Sequence, residues 1–179
     1  MNQSVGTTYW ITGLSGAGKS TLGGLLYSLY KKSIHNIVIL DGDELRAVIK
    51  NTDYSSEGRK SVAFQYARLC RLLTEQGIHV IICTISMYED VRKWNRKNLR
   101  KYCEIYIKVP IKELIFRDQK GLYSRAMRKE ISNVMGVDVP FEEPQNPDIV
   151  IENDGKKKVE YVFSELVEKL ESWQRGEEP

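Results

Sequence analysis

Several things are scarce in this sequence, and each scarcity removes a class of function. Lys and Arg outnumber Asp and Glu by only 27 to 24, a net charge of +3. No basic cluster is interleaved with aromatics, so neither nucleic acid nor an anionic membrane is an expected partner. No apolar run approaches the roughly 20 residues of a membrane span. Met1 to Thr7 is polar, so no secretory leader is expected. Cysteine occurs three times, at Cys70, Cys83 and Cys103, with no Cys-x-x-Cys. An odd number of cysteines in apolar segments points to reduced core thiols and a cytoplasmic protein. His35 and His79 have no metal-ligand spacing between them and read as structural. Proline is also sparse, and three of its five occurrences fall at Pro140, Pro144 and Pro147. There is no internal repeat and no low-complexity segment. At 179 residues the chain is expected to form one domain able to bury a full core.

What is present is dominated by Gly13-Leu14-Ser15-Gly16-Ala17-Gly18-Lys19-Ser20, the spacing G-x-x-x-x-G-K-[ST]. A β-prone run at 8–12 precedes it, and a helical pattern from Lys19 follows. Strand, glycine loop and helix in that order form a phosphate loop. Its glycines let the loop curl so that backbone N–H groups point at a phosphate chain. The helix adds the positive end of its dipole. Gly13, Ser15, Gly16, Ala17, Gly18, Lys19, Ser20 and Thr21 are therefore the expected ATP-binding residues, with the Lys19 ammonium on the β/γ-phosphates and the Ser20 hydroxyl on Mg²⁺.

The remaining pattern alternates strand and helix. Helix is expected to about residue 32, strand at 37–40 buried on both faces, a short helix at 43–49, and a long helix at 56–76 closed by Gly77. Strand follows at 79–85. Ser86-x-x-Glu89 reads as a capping box for a helix to about 101. Strand at 103–109, a short helix at 111–118, strand at 148–151 and an amphipathic helix from Val159 complete the pattern, with a frayed tail at 175–179. Lys156, Lys157 and Lys158 read as a solvated turn, and Trp10, Trp94 and Trp173 as packing residues. The weakly patterned stretch 119–147 is long for a compact domain and is expected to be a mobile lid. The fold class is thus α/β, a doubly wound parallel five-stranded sheet of the P-loop kinase kind. In such sheets ligands bind beyond the carboxyl ends of the strands, where the P-loop, Asp41-Gly42-Asp43 and Ser86 should converge.

Phosphoryl transfer needs a metal-holding carboxylate and a group that takes the acceptor's proton. Asp41 and Asp43 can supply both; the alternative is that Asp41 merely caps the following helix. Arg46 lies one turn after Asp43 and suits a substrate phosphate, or else an i,i+3 ion pair. Arg117, Lys120 and Tyr123 stand at the root of the expected lid.

In combination these segments resemble the adenylylsulfate (APS) kinases. The resemblance runs from Trp10 to Asn153 and rests on Gly-Leu-Ser-Gly-Ala-Gly-Lys-Ser-Thr at 13–21, Leu-Asp-Gly-Asp-x-x-Arg at 40–46 and Lys-Gly-Leu-Tyr at 120–123. Glu130-Ile131, Gly136-Val137-Asp138 and Glu143-Pro144-Gln145-Asn146-Pro147 continue it. It implies a homodimeric kinase that phosphorylates a ribose 3′-hydroxyl with MgATP. It also implies Lys19, Asp43 and Lys120 at the reaction centre and Ser20 and Asp41 on the metal. Arg117 falls to ATP, and Asp43, Arg46, Tyr54, Arg59, Ser86, Met87, Lys120, Gly121 and Leu122 to the acceptor nucleotide.

Departures from the family's pattern gather on the acceptor side. Val62-Ala63-Phe64-Gln65 stands for Asn-Ile-Arg-Arg, Met87-Tyr88 for Pro-aromatic, and Asn133-Val134-Met135-Gly136 for Gly-Phe-Thr-Gly. In APS kinases that Phe and the aromatic matching Tyr54 sandwich the adenine, and Val134 cannot stack. The run from Ser86 to Arg92 resembles a capsule-biosynthesis group of APS-kinase-like enzymes that phosphorylate cytidine diphosphoramidate. That acceptor is expected ahead of APS. A nucleotide-dependent switch is the reading from another class, but the chain has no Asn-Lys-x-Asp guanine motif.

Overall fold

A computed structural model describes residues 4–177. Its five strands are β1 (Thr8–Thr12), β2 (Ile37–Asp41), β3 (His79–Thr84), β4 (Tyr102–Lys108) and β5 (Ile149–Glu152). They form one sheet in the order β2-β3-β1-β4-β5, and every pairing is parallel. The helices are α1 (Lys19–Tyr30), α2 (Gly42–Val48), α3 (Ser56–Glu75), α4 (Glu89–Asn98), α5 (Ile111–Arg117), α6 (Leu122–Met127) and α7 (Val159–Arg175), with a 3₁₀ turn at Gln119–Gly121.

The chain moves one way across the sheet from β1 to β2 and back from β2 to β3. Right-handed crossovers therefore put α1 and α3 on opposite faces. α7 packs against α1, and α4 against α3, so both faces are covered. Central β1 is buried along its whole length, which explains its apolar and β-branched composition. β2 departs from expectation: only Ile37 is fully buried, because β2 forms the sheet edge. Register brings the strand ends level, with Thr12 opposite Thr84 and Asp41 opposite Cys83. The loops after β1, β2 and β3 consequently open onto one crevice.

Most element boundaries lie within a few residues of expectation. Gly77, at φ 80, closes α3 in the left-handed conformation that glycine adopts freely. At the far end α7 remains helical to Arg175 and Gly176 closes it at φ 72. The expected frayed tail at 175–179 is therefore not frayed through Glu177, whose N–H donates to the Ser172 carbonyl, and its last two residues lie outside those described.

Two expectations need correction. Ser86 does not cap α4: Tyr88 occupies the N-cap position, and the cap comes from the distant Glu142, whose carboxylate accepts from the Glu89 N–H. Ser86 belongs instead to an extended segment that is fully buried beneath the loop carrying Glu142. The stretch 119–147 is also less irregular than expected, since it opens with the 3₁₀ turn and α6, and Tyr123 is completely buried. Beyond α6 the segment folds back on itself. Asp138 accepts from the N–H groups of Asn133 and Val134, and Met135 bridges to Val139. Its far end is pinned to α4, where Arg92 donates to the Glu142 carbonyl at 3.0 Å and Arg96 to the Asn146 carbonyl at 2.7 Å.

Candidate active site

A cleft of about 740 Å³ opens at the carboxyl edge of the sheet, lined by the P-loop, the ends of β2 and β3, the α2–α3 connection, one face of α3 and residues 131–135. Ser15, Gly16, Gly18, Lys19, Ser20 and Thr21 all face it, while Ala17 is buried behind them. The loop's geometry demands glycine. Gly13 sits at φ 151, and a Cβ there would lie 2.6 Å from the Ile107 carbonyl oxygen. Gly18, at φ 96, approaches Asn153 so closely that a Cβ would lie 2.9 Å from Nδ2.

Lys19 is buried and donates to the Leu14 carbonyl at 2.8 Å. Burial lowers its ammonium to about 8, with the charges of Asp43 and Asp41 among the opposing effects. Ser20 Oγ donates to Asp41 Oδ2 at 2.5 Å, and the other Asp41 oxygen accepts from the Asp43 N–H at 2.9 Å. Asp41 therefore caps α2 and at the same time reaches the P-loop serine. These hard oxygen donors on the phosphate side of the cleft suit Mg²⁺. Asp43 projects into the opening and faces Lys120 at 3.7 Å, both side chains being strongly exposed. Lys120 holds φ 60 and Asp118 φ 35, left-handed conformations that are uncommon for residues other than glycine.

On the acceptor side, Arg46 does not pair with Asp43. Its guanidinium binds Asn51 Oδ1 at 2.6 Å and the Asp53 carbonyl at 2.8 Å. It lies 4.6 Å from the centre of the half-exposed Tyr54 ring, and Arg59 lies 5.1 Å from the same ring. Arg59 also donates to the Asn133 carbonyl at 2.7 Å, tying α3 to the segment above the cleft. Asn133 stands where the resemblance has glycine, and its φ of 64 shows why a residue tolerant of that region is needed.

Three groups of expected site residues are placed elsewhere. Ser86 and Met87 are fully buried and do not line the cleft. The Ser86 N–H donates to Thr12 Oγ1 at 3.4 Å, and Thr12 Oγ1 lies 3.6 Å from the Met87 sulfur, so both are packed under the end of β1. Leu122 lines the cleft, whereas Gly121 serves the turn beside it at φ 62. Arg117 does not line the cleft and bonds Glu113, the Gly16 carbonyl and the Asn153 carbonyl. Of the substituted residues on α3, Val62 and Ala63 face the cleft, but Phe64 packs edge-on against Trp94 and Gln65 is exposed. Val134 and Met135 do line it.

Sequence reasoning missed Tyr66, Thr84, Ile131 and Ser132, which also line the cleft. Tyr66 was available in principle, since it follows Arg59, Val62 and Ala63 at helical spacing; its hydroxyl donates to the Gly42 carbonyl at 2.8 Å. Also missed was Glu104, a buried carboxylate on β4 whose Oε2 accepts from Arg96 at 2.9 Å, outside the cleft. Among the described residues no group of His, Cys, Asp and Glu is arranged to hold a metal by itself, and no helix is long and apolar enough to cross a membrane.

Comparison with known proteins agrees with this geometry. A family model described as adenylylsulphate kinase matches residues 5–152. A cytidine diphosphoramidate kinase from Campylobacter jejuni is 44% identical over 161 residues, covering 90% of this chain and 94% of the relative. A probable adenylyl-sulfate kinase from Archaeoglobus fulgidus is 38% identical over 146 residues, covering 81% and 94%. Among solved structures, the Mycobacterium tuberculosis APS kinase in complex with AMPPNP and APS superposes with a TM-score of 0.84 at 30% identity, covering 94% of this chain and 99% of that one. The family model and these relatives cover most of the sequence, and the chain belongs to the adenylylsulphate kinase family.

Proposed function

We propose that the chain transfers the γ-phosphate of MgATP to the ribose 3′-hydroxyl of cytidine diphosphoramidate. In this reading the N–H groups of the P-loop and the Lys19 ammonium take the β- and γ-phosphates. Ser20 and Asp41 hold Mg²⁺, which when bound neutralises charge on the phosphate oxygens. Asp43 orients the 3′-hydroxyl and receives its proton on a carboxylate oxygen, while Lys120, 3.7 Å away, brings a cation to the transferring group. Arg46 and Arg59 bind the diphosphoramidate end, and Tyr54 offers a stacking face to the base. Residues 131–135 close the cleft against water. The protein works in the cytoplasm, consistent with three free buried cysteines, and as a homodimer, as the family resemblance implies.

The observation that carries the choice of acceptor is Val134 lining the cleft where the family places its stacking Phe, with Val62 beside it in place of Asn. A missing stack costs roughly 0.5–1.5 kcal/mol beyond area, and a missing polar contact roughly 0.5–1.5 kcal/mol. Together they lower kcat/KM for APS by roughly five- to 150-fold. The arginines replaced by Phe64 and Gln65 add nothing to this sum, because neither position reaches the cleft. The similarity to the Campylobacter jejuni enzyme supports the same acceptor.

Conversion of APS is the second reading, favoured by the Archaeoglobus fulgidus relative and by Tyr54, which leaves one aromatic wall in place. The test is kcat/KM on the two nucleotides side by side at saturating MgATP, followed as ADP release. Equal or better use of APS overturns the proposal, and no ADP release with either nucleotide favours a switch or binding protein instead.

A further inference from the structure

Tyr123, which ends the Lys-Gly-Leu-Tyr run at 120–123, has no part in the proposed function, yet it is completely buried. Its hydroxyl donates to the Ser15 carbonyl at 2.9 Å. The next two carbonyls of the P-loop are held in the same way. Arg117 Nη1 donates to Gly16 O at 3.3 Å, and Asn153 Nδ2 donates to Ala17 O at 2.9 Å. Three successive carbonyls are thus taken by side chains from α6, α5 and the segment after β5. Arg117 and Asn153 are joined in turn, through Arg117 Nη2 and the Asn153 carbonyl at 2.7 Å.

A planar trans peptide makes this arrangement consequential. The C=O of one residue and the N–H of the next point in opposite directions and turn together. Fixing the carbonyls of Ser15, Gly16 and Ala17 therefore fixes the N–H groups of Gly16, Ala17 and Gly18. Among the described residues no acceptor takes the N–H of Gly16 or Gly18, and that of Ala17 makes only a 3.2 Å turn bond to Leu14. Glycines at φ 77 and 96 leave this loop otherwise free to rotate its peptides, so its shape must be imposed from outside.

We propose that Tyr123 and Asn153, together with Arg117, are positioning residues for ATP: they grip the back of the P-loop and hold its N–H groups turned toward the phosphates before ATP arrives. They touch no substrate themselves and act through three peptide planes. Two of the three, Arg117 and Tyr123, flank the turn that carries Lys120, so the same grip sets the phosphate cradle and the lysine opposite Asp43 in one frame. This inference rests on the P-loop's binding ATP phosphates and is independent of which acceptor is used.

The test is Tyr123→Phe, which removes one hydroxyl, with Asn153→Ala as a second variant from a different element. Calorimetric Kd for MgATP, competition by inorganic tripolyphosphate and the split between KM for ATP and kcat are the readouts. Losing one such bond should weaken MgATP binding about three- to tenfold in either variant, with the effect falling on KM more than on kcat. Tripolyphosphate should weaken by the same factor, because the defect lies at the phosphates. A lowered melting temperature with unchanged affinity for both ligands would show these bonds to be merely structural and overturn the proposal. If Tyr123→Phe fails to fold, Asn153→Ala decides by the same criteria. Wild-type protein that binds neither ligand would refute the P-loop reading itself, an outcome distinct from variants that bind as tightly as wild type.

Discussion

Lys19 makes the affinity for ATP depend on pH in a direction that the structure determines. In the free protein its ammonium is buried against the Leu14 carbonyl, and burial lowers it to about 8. A bound triphosphate surrounds the same group with negative charge and raises its pKa again. Above pH 8 the free protein has therefore lost a proton that the complex keeps, so binding must take one up, and affinity falls as pH rises. The protonated fraction of free Lys19 drops from about 0.9 at pH 7 to about 0.09 at pH 9, so the Kd for ATP should rise about tenfold across that interval. Calorimetry in buffers of different ionisation enthalpy should report uptake of about half a proton per ATP at pH 8. Lys19→Arg supplies the control, because a guanidinium stays charged throughout and its profile should be flat whatever its absolute affinity. A wild-type Kd that is constant from pH 7 to 9 with no proton uptake would refute the reasoning. It would mean that the ammonium is already stabilised in the empty loop as fully as in the complex.

Other expectations concern single side chains. Asp43→Asn should lower kcat by roughly two to four orders of magnitude, with Kd for MgATP nearly unchanged by calorimetry, because Asp43 faces the acceptor side of the transfer. Val134→Phe should raise kcat/KM for APS about three- to tenfold by restoring a stacking wall, whereas Phe64→Arg should change it by less than about twofold. Steady-state kinetics on both variants check the placement of these residues, and an effect of Phe64→Arg as large as that of Val134→Phe would contradict it. Glu142→Ala removes the cap of α4 and should cost about 1 kcal/mol, a few degrees of melting temperature by calorimetry, with Glu142→Gln retaining most of it.

Much of this protein was legible in the residues alone, because the relevant signals are local. The P-loop needs glycines at fixed offsets before a lysine, and Gly13, Gly16 and Gly18 hold the positive φ values that only such a sequence accommodates readily. Strand–helix alternation and right-handed crossovers carried the sheet, and strand-end chemistry brought Asp41 to Ser20. Where the reading failed, partners distant in sequence had decided the outcome. Ser86 has the spacing of a capping box, yet the cap of α4 comes from Glu142, 53 residues away from Glu89. Phe64 and Gln65 stand beside Val62 in sequence, but helical rotation turns them off the cleft, and a substitution matters to a substrate only on the face that meets it. The three carbonyl contacts behind the P-loop span 101 to 136 residues of chain, and no local pattern records them. Sequence by itself determined which backbone conformations were available and which chemistry was present; tertiary packing alone decided which side of each peptide and each helix would face the substrate.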